Sequence, residues 1–212
     1  FDGTMADVFA LQDEVNRKIV AALEINLTAA DKQRLEQAET TSAEAYDLLL
    51  RGIEQYNKRT RETNTEARDL FTRAAILDPD YARAYANIAL TYGTGVNRNW
   101  AQDQERSTRL GLEFAEKALT IDDRIPQIYM TRSLLYLSLR QHQTAIEAAQ
   151  RTIEVHPNYA DGYATLAFIQ SFSGQLEAAL ESLDRARQIN PIYTGIYLEI
   201  EGRVLFLLER YD

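Results

Sequence analysis

The sequence has no cysteine, only two histidines, four prolines and one tryptophan. Without cysteine there is no disulfide framework, no thiolate zinc site and no thiol nucleophile. That composition fits a reducing compartment. Positive charge is also short: 23 lysines and arginines stand against 32 aspartates and glutamates, a formal net charge of −9. A phosphate backbone needs a cationic surplus, so no nucleic-acid partner is expected. The one locally basic stretch, RNWAQDQERSTR, mixes both signs and reads as a solvated face. No run approaches the ~18 apolar residues of a membrane span, so no membrane insertion by this chain is expected. No signal peptide is visible, and the chain opens on Phe1 rather than methionine. It reads as an excised piece of a larger protein.

Catalytic groupings are equally scarce. His142 and His156 lie 14 residues apart without ligand-type spacing, and no metal or cofactor is expected. Gly93-Thr94-Gly95 lacks both the lysine and the preceding strand of a phosphate-binding loop. Asp122 and Asp123 end a helical stretch and read as solvated carboxylates rather than an acid–base pair. The chain is therefore expected not to be an enzyme.

What is present is a repeated phrase. PDYARAY (79–85), PNYADGY (157–163) and PIYTGIY (191–197) all read Pro-x-Tyr-x-x-x-Tyr and use three of the four prolines. Pro157 and Pro191 are 34 residues apart, and Pro79 and Pro157 are 78 apart, which is 34 plus 44. A 34-residue period with apolar positions recurring at three and four is a helix–turn–helix solenoid signature. In phase with it come Tyr129 and Tyr163 early in first helices, and Ala145 and Ala179 early in second helices. Proline has no amide for the helix interior and drives its predecessor out of the α region, so it ends each second helix. Small alanines let paired helices approach closely. Asp123 stands where the second repeat would have its proline. Gly52 to Ala67 leaves about three extra residues for the first turn, and GTGVNRNWAQDQERS about ten for the second. Such surface insertions cost little.

The predicted fold is an all-α solenoid of antiparallel helix pairs. Residues 1–41 form an N-terminal helical segment, and 42–212 the repeat region: about 45–81, 82–125, 126–159, 160–193 and a partial 194–212. Val8, Leu11, Val15, Ile19, either Ala22 or Leu23, and Leu27 give the first segment one apolar stripe. TAAD (28–31) and TSAE (41–44) fit capping boxes.

The period, Ala145, Ala179, Pro157 and Pro191 resemble the tetratricopeptide repeat, from about residue 42 to 212. The stretches DVFALQDEVNRKIVAAL, AYDLLLRG and LDPDYARAYANIALTY further resemble bacterial adenylate/guanylate cyclase-like signalling proteins that carry such repeats at their C-terminus. That resemblance implies a cytoplasmic scaffold for protein–protein interaction, in a parent with a catalytic domain upstream that is free to associate with a membrane. A protein or peptide ligand is expected on the concave face, lined by first helices. The second repeat offers Arg83 and Ala86, the third Gln127, Met130, Leu134 and Leu137, and the fourth Asp161, Ala164, Phe168 and Phe172. Each also has the character of inter-repeat core. With few lysines, this surface is expected to lack a basic clamp and to suit an apolar segment. Trp100, in the longest turn, is a packing anchor or a loop contact. The competing reading is a structural dimerisation or spacer module, with a homodimer formed through the terminal helices, where Leu205, Phe206 and Leu208 are expected to lack cover.

Overall fold

The computed structural model describes residues 39–192 and 195–209, together with Glu14, Val15 and Lys18, which are helical. The rest of the expected N-terminal helix, and the TAAD capping box after it, fall outside the described residues. Among the described residues there are nine helices from residue 43 onward and no strand. They are α1 (Ala43–Asn57), α2 (Arg61–Leu77), α3 (Ala82–Asn97), α4 (Gln104–Ile121), α5 (Pro126–Ser138), α6 (His142–Val155), α7 (Ala160–Phe172), α8 (Leu176–Ile189) and α9 (Gly195–Leu207).

Two kinds of chain reversal alternate along them. Within each pair, the turn contains one residue with positive φ: Arg59 (57°), Asn99 (55°), Arg140 (59°) and Gly174 (75°). Only the last is glycine, although that region disfavours a Cβ. Between pairs, the closing residue is extended instead: Asp78 (φ −136°), His156 (−133°) and Asn190 (−122°) each precede a proline. That is the conformation proline imposes on its predecessor. Asp122 (φ −145°) adopts it with no proline following. Its carboxylate accepts from the Arg124 backbone N–H at 3.0 Å and from Arg124 Nε at 2.7 Å, closing the corner by hydrogen bonds. The fourth proline, Pro126, opens α5, where its missing N–H has no intrahelical acceptor to lose.

The extra residues of the first two repeats are placed differently from expectation. The α1–α2 turn has the same three residues as the later turns, while α1 and α2 are longer than α5 and α6 by two and three residues. In the second repeat, α3 gains three residues and α4 four, and only three go to the turn. Lengthening a helix keeps the added amides and carbonyls paired; lengthening a loop does not. The TSAE box is also resolved differently. Ser42, not Thr41, caps α1, its hydroxyl accepting from Ala45 N at 3.1 Å.

The core runs along the solenoid as overlapping clusters, each shared by neighbouring helices. Leu49, Phe71, Tyr81 and Ile88 join α1, α2 and α3. Ala89, Ala115, Ala118 and Ile128 join α3, α4 and α5. Ala145, Ala149, Leu166 and Ile169 join α6 and α7. Ala167, Leu183, Tyr197 and Val204 join α7, α8 and α9. Such nearest-neighbour burial is what stacked repeats require. The small positions are fully used: Ala67, Ala145 and Ala179 have no exposed surface, and a Cβ at Gly111 of α4 would lie 2.9 Å from Leu135 Cδ1.

Candidate functional site

The first helices α5, α7 and α9, with the ends of α1 and α3, surround an open cavity of about 900 Å³. Its apolar part comes from the first helices: Met130 and Leu134 of α5, Ala164 and Phe168 of α7, Ile196 and Ile200 of α9. Its polar part is shared between α7 and α9, which bring Asp161, Thr165, Tyr197, Glu199 and Arg203, and the lengthened repeats. Tyr56, Arg59 and Asn64 line it from the α1–α2 corner, and Thr94, Arg98 and Trp100 from the end of α3 and the following turn.

Local hydrogen bonds hold this polar part in place. The hydroxyls of Tyr56 and Thr94 are 2.8 Å apart, tying α1 to α3. Trp100 N and Ala101 N both donate to Gly95 O, at 2.8 and 3.0 Å, folding the turn back onto α3. Arg98 lies over the Trp100 ring, 5.4 Å from its centroid. Asn64 is 4% exposed; its Nδ2 donates to Thr91 O at 3.0 Å, and its Oδ1 accepts from no protein group. Behind it, Arg68 donates to Thr91 Oγ1 at 2.9 Å and lies 3.9 Å from the Tyr92 centroid, with burial pushing its guanidinium below the ordinary value.

On the α7–α9 side, the buried Tyr197 hydroxyl donates to Asp161 Oδ1. Burial first, and then the Asp161 carboxylate, hold that phenol well above its usual range, so it remains a donor. Phe168 and Phe172 meet edge to face at 4.9 Å, and the Arg203 guanidinium covers Phe172 at 3.8 Å.

Met130, Leu134, Asp161, Ala164, Phe168 and Trp100 line the cavity. Phe172 lies beside it under Arg203. Four other predicted residues lie elsewhere. Arg83 Nη1 reaches Glu39 at 3.0 Å, and Gln127 Nε2 reaches the Tyr159 hydroxyl at 3.5 Å. Ala86 is buried in the α3–α4–α5 cluster, and Leu137 packs against the α6–α7 cluster. The expected lack of a basic clamp is corrected by the arginines of the lining. Arg59, Arg98 and Arg203 all face the cavity, and none forms an ion pair among the described residues. Lysine is scarce on the first helices, and the cationic lining is arginine instead. Two of the three arginines sit in pair turns, and Arg203 lies in the last helix. Signals were available: the lengthened stretch around Trp100 and the non-glycine turn residue Arg59.

Among the described residues that line the cavity, no catalytic constellation is assembled. His156 Nε2 is bonded to the Arg124 carbonyl and His142 Nδ1 is 3.3 Å from Ser173 Oγ, so both histidines serve helix junctions. Among the described residues no cluster of His, Cys, Asp or Glu is placed to hold a metal, and no helix is long and apolar enough to cross a membrane.

No family model matches the chain. It is 34% identical over 148 residues, 70% of its length, to a protein of Rhizobium meliloti (strain 1021) named "Putative adenylate cyclase 3". The match spans about 25% of that relative's length. Solved structures agree on the architecture. PilF of Pseudomonas aeruginosa superimposes with TM-score 0.60 at 16% identity, covering 79% of this chain and 70% of PilF. A thermophilic TPR protein of Thermus thermophilus gives 0.56 at 17% identity, covering 76% of this chain and 99% of the other. YrrB, described as a TPR protein with an unusual peptide-binding site, gives 0.51 at 17% identity, covering 87% and 86%. Antiparallel helix pairs closed by proline at a 34-residue period, stacked through shared alanine-rich clusters, give this chain the tetratricopeptide-repeat fold.

Proposed function

We propose that the chain is a non-catalytic scaffold that holds a peptide segment of a partner protein in the cavity between its first helices. The observation that carries this reading is the pairing of solvent-open apolar side chains, Met130, Leu134, Phe168 and Ile196, with a hydrogen-bonding rim in one cavity of about 900 Å³. Enclosed apolar surface with a few fixed polar groups is what a peptide-recognition site needs. The peptide-binding site named for YrrB supports the reading, on a chain with the same fold. The cyclase-named relative supports a setting in a bacterial cytoplasmic signalling protein, with these repeats beside a cyclase-type domain. A selection from a displayed random peptide library against the 212-residue chain tests the site. Peptides are expected that bind the parent and lose at least tenfold in affinity to Met130→Gln with Leu134→Gln. Failure to select any peptide, or binders indifferent to both changes, would remove the cavity as the binding site.

A second reading has its own support. Leu198 of α9 (56% exposed) and Ile192 just before that helix (82%) present apolar surface outside the cavity lining. Apolar helix faces of this kind seek cover, and the commonest cover is a twofold copy. A homodimer through α9 is compatible with an open cavity.

A further inference from the structure

The contact between the second helix of one pair and the first helix of the next is built differently at its first occurrence. Asn64 and Arg68 of α2 meet Thr91 of α3. Asn64 Nδ2 and Arg68 Nη2 both donate to the Thr91 carbonyl, at 3.0 and 3.2 Å, and Arg68 Nε donates to Thr91 Oγ1 at 2.9 Å. By register, Asn64, Arg68 and Thr91 correspond to Thr108, Leu112 and Leu135 at the α4–α5 seam, and to His142, Ile146 and Ile169 at the α6–α7 seam. Those two seams also have a polar outermost contact, Thr108 to Ser138 at 3.4 Å and His142 to Ser173 at 3.3 Å. One turn further in, however, their residues are aliphatic, and Ile146 and Ile169 share one apolar cluster. Of these three seams, α2–α3 alone stays polar into its second turn. We infer that α1 and α2 form a hinged gate to the cavity, pivoting on the apolar end of the α2–α3 seam and parting from α3 along the polar end. The gate rests on the cavity being the peptide site; the hinge does not.

The two ends of the seam are held by different forces. At the corner end, Phe71 and Ala74 of α2 and Ala84 and Ile88 of α3 are buried in one cluster with Tyr81. The residues leading into α1 are tied to the same corner: the Thr40 hydroxyl donates to the Asp78 carboxylate, and Arg83 Nη1 reaches both Glu39 oxygens, at 3.2 and 3.0 Å. At the other end the ties are the bonds to Thr91, the Tyr56–Thr94 hydroxyl pair at 2.8 Å, and the Arg68 guanidinium 3.9 Å from the Tyr92 centroid. Water replaces hydrogen bonds at small net cost, whereas parting apolar surfaces forfeits their burial in full. Arg68 forms no ion pair among the described residues, so its half-buried charge regains hydration on opening. The Asn64 Oδ1 atom, sealed in the closed seam without a protein donor, is wetted as well. Local openings are drawn from such low-cost contacts.

The polar end is also the end at the cavity. Tyr56, Arg59 and Asn64 line the cavity from α1, α2 and their turn, and Phe168, Ile196 and Arg203 line it from α7 and α9. Parting α2 from α3 here carries the first group away from the second and widens the way in.

Pulsed electron-spin distances on the 212-residue chain decide this, because a chain without cysteine takes label only where cysteine is introduced. Lys58→Cys with Gln143→Cys places labels on exposed sites at the turn edge, and Asp80→Cys with Asn158→Cys places them on exposed sites at the corner edge. The turn-edge pair is expected to show a second, longer distance beside the main one, and the corner pair a single distance. Arg68→Leu with Thr91→Ile, which installs the aliphatic character of Ile146 and Ile169, should remove the longer distance. Tyr56→Phe and Thr94→Val, which cut one tie without refilling the seam, should each raise its share about two- to tenfold. These two carry the test even where the aliphatic variant fails to fold. A single turn-edge distance in the parent, unchanged by Tyr56→Phe and Thr94→Val, would overturn the hinge. Equal broadening of both pairs would overturn the pivot. A peptide recovered from the library selection should collapse the turn-edge pair to one distance. A bound peptide that leaves both distances in place would overturn the gate and keep the hinge. Recovery of no peptide would remove the peptide site and the gate with it, leaving the hinge to stand or fall on the distances.

Discussion

The Phe71 ring of α2 lies directly over the bare Cα of Gly52 in α1: a Cβ on Gly52 would stand 2.7 Å from Phe71 Cδ1. Both positions are buried. This contact sets how closely the first pair of helices packs.

Gly52→Ala therefore tests whether close approach outweighs helix propensity. Propensity alone would favour alanine by ~1 kcal/mol. Overpacking against a fully buried aromatic ring costs about 1–3 kcal/mol. The net expectation is destabilisation by up to ~2 kcal/mol, a Tm drop of up to roughly 8 °C. Phe71→Leu in the Gly52→Ala background should recover part of that loss. A variant that melts above the parent would show that the pair relaxes freely at this contact.

The pair turns give a prediction of opposite character. Gly174 has φ of 75°, and a Cβ there would meet nothing within 4 Å. Any cost of Gly174→Ala is thus conformational, ~1 kcal/mol for holding an L-residue in the left-handed region. At the equivalent turn, Arg140 already bears that strain at φ 59°. Arg140→Gly should then hold or raise Tm, while Gly174→Ala lowers it by about 2–4 °C. Equal and opposite shifts are not expected, because glycine also gains entropy in the unfolded chain. Thermal melts of both variants decide, and a stable Gly174→Ala would show that the turn has another conformation open to it.

How far the sequence revealed this molecule depends on what each residue answers to. Pro157, Pro191, Ala145 and Ala179 were legible because every repeat asks the same of them: a broken helix or a small volume. The groove was less so. Arg83 and Asp161 are 78 residues apart and share one register position, as do Ala86 and Ala164. Asp161 and Ala164 line the cavity, whereas Arg83 pairs with Glu39 and Ala86 is buried beside Ala115. Identical register gives the same burial, with both alanines buried and both charged residues exposed, but different surroundings, because longer α3 and α4 change what stands against each face. Arg59, Asn64 and Arg98 were not legible from spacing for a related reason. They lie at helix ends of the lengthened repeats, and spacing alone does not say which of those ends faces the cavity.

The corner without proline makes stability at the α4–α5 junction sensitive to acid. The Arg124 hydrogen bonds, aided by its charge and by His156, hold the Asp122 carboxyl below its ordinary value despite partial burial. A carboxylate depressed in the folded state stabilises fully above its unfolded value, and that contribution disappears as pH falls through the lower native value. Asp122→Asn should therefore melt below the parent at pH 7. The two curves should converge as pH is lowered from ~5 to ~2. Asp123→Asn, whose side chain is exposed, provides the control. A gap between parent and Asp122→Asn that stays constant across that range would mean that the corner is held by the backbone alone.

The last described helix tests self-association. Leu205 is partly buried and Leu208 packs against the α7–α8 cluster, so neither is the open apolar surface expected at this end. Leu198, not among the residues expected there, is 56% exposed, and a Cβ on Gly202, one turn on, would touch nothing within 4 Å. In the preceding repeat Ala167 of α7 is buried with Leu183 of α8. A second copy packing α9 against α9 would cover Leu198 in a twofold arrangement. Sedimentation equilibrium at several concentrations up to high micromolar should show a reversible dimer. Leu198→Glu should be monomeric with little change in Tm, since that side chain is exposed in the single chain. A parent that stays monomeric throughout would sink the α9 interface, and a Leu198→Glu variant that still dimerises would place the contact on another face.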